Sequence, residues 1–129
     1  MKVLDTDFLI AVLENDDIKE EIEHILASNE TIATTVFNIQ EILYGTMISG
    51  SKRNFEKTME FVKSIKILEY KKENSIEASR IRYYLRKKGV PIGLMDTMIA
   101  AICISNAASI VTRNEKHFNS VPGLVVEKW

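Results

Sequence analysis

Leu94-Met95-Asp96-Thr97-Met98-Ile99-Ala100-Ala101-Ile102-Cys103-Ile104-Ser105, followed two residues later by Ala108-Ser109-Ile110-Val111-Thr112, decides the fold. The first run is apolar on every side apart from Asp96 and two hydroxyls, which predicts a central helix buried on most faces. The second is short and β-branched, the signature of a strand. A buried helix that feeds a strand is the closing half of a β-α-β unit, and such units build parallel sheets covered on both faces.

Working outward, Lys2 to Asp5 reads as a short apolar strand leading into a helix through Phe8, Leu9, Ile10 and Leu13, with Thr6 or Asp7 as its cap. Asp17 to Ser28 places Ile18, Ile22, Ile25 and Leu26 at helical spacing. Thr31 to Thr35 reads as a second strand, Phe37 to Met47 as the helix leaving it, and Phe55, Met59 and Val62 mark another helix. A third strand is predicted at Ile65 to Leu68, then a basic amphipathic helix over Asn74 to Lys88 ended by Gly89. Leu124 to Glu127 forms a short fifth strand. The expectation is a single domain over residues 1–129, a three-layer α/β/α fold with a mostly parallel sheet of four to five strands.

Composition bounds the function. At 129 residues and 46% apolar side chains, one core can form without disulfide or metal staples. Cys103, the only cysteine, excludes an intrachain disulfide and a four-thiolate zinc site, and fits a reducing cytoplasm. No export signal or membrane-spanning stretch is read, so the expectation is a cytoplasmic protein without a membrane partner. Net charge is −1, yet residues 1–50 carry two lysines against ten acids, whereas residues 52–88 carry twelve Lys/Arg against five glutamates. One part can hold cations while another attracts phosphate.

The acids fall on one rim. Asp5 ends strand one, Glu41 sits about a turn into the helix after strand two, Asn114 lies just past strand four, and Asp96 opens the apolar helix before it. In open α/β sheets ligands bind beyond the carboxyl ends of the strands. Each acid alone reads as an ordinary cap or surface charge. Together, in apolar surroundings and without a His or Cys cluster, they point to a hard, oxygen-seeking cation such as Mg2+, with Mn2+ as a substitute, rather than zinc.

Four blocks carry a resemblance. Asp5-Thr6-Asp7-Phe8-Leu9-Ile10, Glu41-Ile42-Leu43-Tyr44-Gly45, Ile92-Gly93-Leu94-Met95-Asp96-Thr97-Met98-Ile99-Ala100-Ala101 and Val111-Thr112-Arg113-Asn114-Glu115-Lys116-His117-Phe118 resemble, in order, the motifs of PIN-domain ribonucleases. The VapC-type toxins of toxin-antitoxin pairs are the closest match among them. The resemblance implies a Mg2+-dependent endoribonuclease that cleaves RNA, tRNA or ribosomal RNA in toxins, through metal-activated water. Asp5, Glu41 and Asp96 match the acidic metal positions; Asn114 stands where many members have aspartate, leaving one or two metals open. Thr6 matches the hydroxyl that orients water or phosphate, with Thr112 and Arg113 assigned to positioning. Arg113, Lys116 and the basic helix Arg80 to Lys88 are candidates for phosphate contact. A homodimer and a small antitoxin partner are also implied, using apolar surfaces near residues 36–62.

Two other readings stand beside this one. The first is a catalytically weak RNA- or antitoxin-binding module, if Asn114 has cost the site its metal. The second, less favoured, is a haloacid-dehalogenase-like phosphatase with Asp5 as nucleophile, which also needs a downstream lysine and a paired acidic motif, where the later apolar helix offers an isolated Asp96 with no adjacent acid. Gly45 to Lys52 imitates a phosphate loop with Ser and Lys in the wrong order. His24 and His117 lack metal-ligand spacing, His117 reading as packing. Cys103 reads as core, Met95, Met98, Ile99 and Ile102 as core or dimer contacts, and Trp129 as either a closing hydrophobe or exposed.

Overall fold

The computed structural model describes residues 1–14 and 17–129. Five strands, β1 (Lys2–Leu4), β2 (Ile32–Thr35), β3 (Lys66–Leu68), β4 (Ser109–Val111) and β5 (Val126–Glu127), form one sheet in the order β3-β2-β1-β4-β5, every pairing parallel. The helices are α1 (Thr6–Glu14), α2 (Lys19–Ala27), α3 (Val36–Ser49), α4 (Lys52–Ser64), α5 (Lys72–Lys88), α6 (Leu94–Ser105) and α7 (Glu115–Phe118).

The period-two geometry of strands divides the core. Val3 and Ile110 pack on one face with Ala78, Ile81, Leu85 and the α6 residues Ile99 to Cys103. Their neighbours Leu4 and Val111 pack on the other with Phe8, Leu9, Ile25 and Ile42. This makes three layers, with α5 and α6 on one side and α1 to α4 on the other. The predicted α6 is apolar all round because it lies between the sheet and α5, with Ala100 to Cys103 fully buried.

Differences from the sequence reading have local causes. Helix α5 starts two residues early because the Asn74 Oδ1 accepts the Lys71 N–H at 2.6 Å, drawing the chain into helix before the apolar pattern begins. Its end is as predicted, at Gly89 with φ 72°. Helix α7 was not anticipated: its single turn buries only Phe118, too little to show a period. Asp7 is not a cap. It lies inside α1, where its carboxylate accepts from the Arg113 N–H at 2.7 Å and the Trp129 Nε1–H at 3.2 Å. Among the described residues no helix is long and apolar enough to cross a membrane.

Candidate active site

Strands β1, β2 and β4 end side by side, and each delivers polar groups to the same point. Asp5 follows β1 and is 8% exposed. Its Oδ1 accepts from the Thr6 N–H (2.8 Å) and the Asn38 Nδ2–H (2.9 Å), and its Oδ2 accepts from the Thr112 hydroxyl (2.6 Å). Burial pushes the Asp5 carboxyl up to about 6, further helped by the charges of Asp7 and Asp96 and opposed by the Thr112 and Thr6 hydrogen bonds. Three neutral donors therefore do not fully offset desolvation and like charge.

Asn38 was missed by sequence reasoning and is central here. Completely buried in the first turn of α3, its Oδ1 accepts the Thr35 hydroxyl at 2.6 Å, while the Thr35 Oγ1 receives the Asn38 N–H at 3.3 Å. That exchange fixes which end of the amide faces inward, so Nδ2 is left to serve Asp5 and the Thr6 Oγ1 (3.0 Å). The available signal was Thr35 at a strand end with Asn38 three residues on, a helix-capping pattern.

The Thr6 hydroxyl in turn donates a hydrogen bond to the Glu41 Oε2 at 2.5 Å, placing that exposed carboxylate beside the rim. Thr112, fully buried, also accepts the Asn114 N–H at 2.9 Å and so ties the start of α7 to Asp5. Asp96 sits in the first turn of α6, its Oδ2 2.7 Å from the His117 Nδ1; the same nitrogen is 2.7 Å from the Asn114 amide. His117 is thus not a packing residue, contrary to the sequence reading: its ring is half exposed on the acid rim. Asn114 reaches the rim as expected. Arg113 turns its guanidinium onto the Trp129 ring, 3.5 Å from the centroid, and Trp129 meets Phe8 edge-on at 4.9 Å, closing a hydrophobic face. Cys103 is core, its thiol pushed by burial up to about 12.

Among the described residues no three His, Cys, Asp or Glu side chains converge closely enough to hold an ion unaided. The donor chemistry nevertheless fits a hard divalent cation. Asp5, Glu41 and Asp96 supply carboxylates, Thr6 and Asn114 supply neutral oxygens, and the rise at Asp5 records burial, with the charges of Asp7 and Asp96 adding to it, a cost that a cation would offset. Ions of this type keep several waters, so a complete cage of side chains is not required.

A parallel sheet between two helical layers, with polar and acidic groups gathered at its carboxyl edge, defines a class of three-layer α/β protein whose ligands bind at that edge. Residues 2–124 match the model of the PIN domain, and the chain belongs to that family. Membership implies dependence on a divalent metal. A relative from Rickettsia felis named Ribonuclease VapC2 is 30% identical, over 98% of this chain and 96% of its own length. A relative from Salmonella typhimurium named tRNA(fMet)-specific endonuclease VapC is 28% identical over the same shares. Among solved structures, VapBC2 from Rickettsia felis bound to a promoter DNA fragment superposes with a TM-score of 0.85 at 30% identity, covering 99% of this chain and 98% of that one. DNA-bound VapBC from Salmonella typhimurium gives 0.84 at 28%, covering 99% and 97%.

Proposed function

We propose that this protein is a Mg2+-dependent endoribonuclease and the toxin of a toxin-antitoxin pair, with Asp5, Glu41 and Asp96 as its metal ligands and Asn114 completing the site. The observation that carries the reading is Asp5, a buried carboxylate held by donors from three elements and crowded by other acids. The names of the relatives add RNA as substrate, with tRNA as the first class to try.

A bound divalent cation supplies an acidified water and neutralises phosphate charge that the acids would otherwise repel. The chain's own residues do the rest. Thr6, Asn38 and Thr112 fix the Asp5 carboxylate in one orientation before substrate arrives, and Thr6 orients Glu41 as well. Arg82 and Arg86 border a cleft with Pro91, Ile92 and Thr97, next in sequence to Asp96. Lys87 and Lys88 lie over the exposed rings of Tyr83 and Tyr84, a basic and aromatic surface suited to single-stranded nucleic acid. Arg113 and the exposed Lys116 add phosphate contacts.

An apolar groove between α1, α3 and α4 begins at Glu41 and includes Ile10, Leu13 and Ile42. Exposed Tyr44, Met47 and Ile48 lie on α3. These surfaces accommodate the small antitoxin and a second copy of this chain in a homodimer working in the cytoplasm.

The test is cleavage of a mixed RNA pool in Mg2+ or Mn2+. Turnover by the wild type, lost in Asp5→Asn and Asp96→Asn, is the expected result. Wild-type RNA binding without turnover would instead favour the binding module, and a covalent phosphate trapped on Asp5 would favour the phosphatase.

A further inference from the structure

The cleft where α5 gives way to α6 has two unlike linings. Arg82, Leu85 and Arg86 face it from α5, Pro91 and Ile92 from the connecting loop and Thr97 from α6, around a volume of about 320 Å3. That is the small end of the range for ligand sites, suited to one flat ring rather than a protein segment. Its loop is tied down at both ends. Gly89, at φ 72°, turns the chain out of α5, and the Val90 N–H donates to the Leu85 carbonyl at 3.0 Å. Beyond Ile92, the Thr97 hydroxyl and N–H both donate to the Gly93 carbonyl, at 2.9 and 3.0 Å. The cleft therefore holds its shape before a ligand arrives.

Residues four apart on a helix share a face, so Arg82 and Arg86 address the same space. Among the described residues neither has a carboxylate within ion-pair distance, whereas Arg80 has Glu77 at 3.5 Å. No acid lines the cleft. Guanidinium groups only donate, so the ligand edge that meets them must consist of acceptors. Leu85, Ile92 and Pro91 add apolar surface for the faces of a ring. Acceptors at the edge and apolar contact on the faces describe a nucleobase better than a bare phosphate. Of the four bases, guanine alone sets two acceptors, O6 and N7, at the spacing of one guanidinium fork.

The same loop borders the acid rim. Thr97 follows Asp96, and a methyl group placed on Gly93 would stand 3.8 Å from the Asp96 Oδ2. A base in the cleft is thus close along the strand to a phosphate at Asp96. We propose that this cleft is a guanine subsite, which selects single-stranded RNA with an unpaired guanosine beside the bond to be cut. One guanidinium takes the O6 and N7 edge and the other the adjoining phosphate. The inference rests on the nuclease reading for the position of the cut, and adds a base preference that contacts to phosphate cannot supply.

The test uses the full chain and short single-stranded oligouridines carrying one guanosine at successive positions, at fixed ionic strength because phosphate contacts vary with salt. Affinity is read by fluorescence polarisation before turnover, and cleavage by gel in Mg2+. At one position guanosine should bind about tenfold more tightly than uridine. There inosine, which keeps O6 and N7, should match guanosine, and 7-deazaguanosine, which lacks N7, should lose most of the gain. Arg82→Gln and Arg86→Gln should each weaken binding of every oligonucleotide, and one of them should also bring guanosine and 7-deazaguanosine within about twofold of each other. Guanosine bound no better than uridine at every position, or an advantage that 7-deazaguanosine keeps in full, overturns the proposal; the wild type alone decides this if a variant misfolds. RNA cut without any guanosine preference refutes only this inference. Guanosine preferred in binding while nothing is cut refutes the nuclease reading and leaves the subsite standing, and the absence of both binding and cleavage refutes both.

Discussion

Strand β1 carries a buried charge at each end, and the two are treated in opposite ways. Lys2 is 6% exposed and Asp5 8%. Lys2 pairs with the Glu127 carboxylate, with Glu30 at 3.9 Å as a second partner, and the Ser109 hydroxyl completes Glu127 at 2.5 Å. Despite desolvation, those contacts hold the Glu127 carboxyl below its usual range. Among the described residues Asp5 has no cationic partner, only neutral donors, and its carboxyl is raised. A buried charge compensated inside the protein is structural; one left short of compensation is poised for something from outside.

The largest way to break this comparison is Asp5→Asn. RNA cleavage should fall at least about a hundredfold, since a charged ligand of the proposed metal ion is removed. The fold should survive, because the Asn Oδ1 can still accept from Thr6 and Asn38 while Thr112 turns its hydroxyl to accept. By contrast Glu127→Ala should leave cleavage within about twofold and destabilise the protein by about 2 kcal/mol, the Lys2 ammonium losing its nearer partner. Substantial cleavage by Asp5→Asn, read by gel, would show that the buried acid is structural after all.

The pH dependence of stability sharpens the contrast. The Asp5 carboxyl is raised to about 6 in the folded chain from its ordinary 3.8, so its favourable contribution is complete below about pH 4 and is lost as pH rises through about 6. Glu127 has the opposite sign: its contribution is present above 4.5 and disappears as pH falls through its lowered value. In metal-free protein, Asp5→Asn should therefore gain about 2 to 3 kcal/mol at pH 7 and almost nothing near pH 4. Glu127→Gln should flatten only the acid limb. Denaturant midpoints at several pH values test both, and identical slopes for the two variants would remove the distinction.

How much of this was legible depends on how many residues a feature recruits. Helix α6 and the strands announced themselves because burial on both faces demands long apolar runs, and Asp5, Glu41, Asp96 and Asn114 followed from the position of strand ends. Asn38 did not, because a buried amide leaves no period and its role depends on Thr35 fixing the inward end. His117 was misread for a related reason. Without α7, a single turn, nothing in the chain said that it would face Asp96, 21 residues away in sequence. Asp7 was misread as a cap because the Arg113 N–H and the Trp129 indole that claim it are more than 100 residues distant.

Thr112 tests whether Asp5 depends on orientation as well as charge. Thr112→Val keeps shape but removes the donor to the Asp5 Oδ2 and the acceptor for the Asn114 N–H. A loss of about 1 to 2 kcal/mol in stability and about tenfold in cleavage is expected, with Thr112→Ser restoring most of both.

The smallest effect is expected at Trp129, which reaches the rim only through others. Its ring stacks under Arg113 and against Phe8, and its Nε1–H donates to Asp7, whose other oxygen accepts the Arg113 N–H. The indole thus steadies the β4 end from which Thr112 serves Asp5, without touching Asp5 itself. Trp129→Ala should cost about 1 to 2 kcal/mol from lost packing and the stacked guanidinium, read as a lower Tm. Cleavage should fall only about twofold to threefold, and Trp129→Phe should recover much of it because the ring contacts remain while the Asp7 hydrogen bond does not. A loss as large as that of Thr112→Val would mean that the Arg113 guanidinium, rather than the hydroxyl beside it, is what the rim needs held in place.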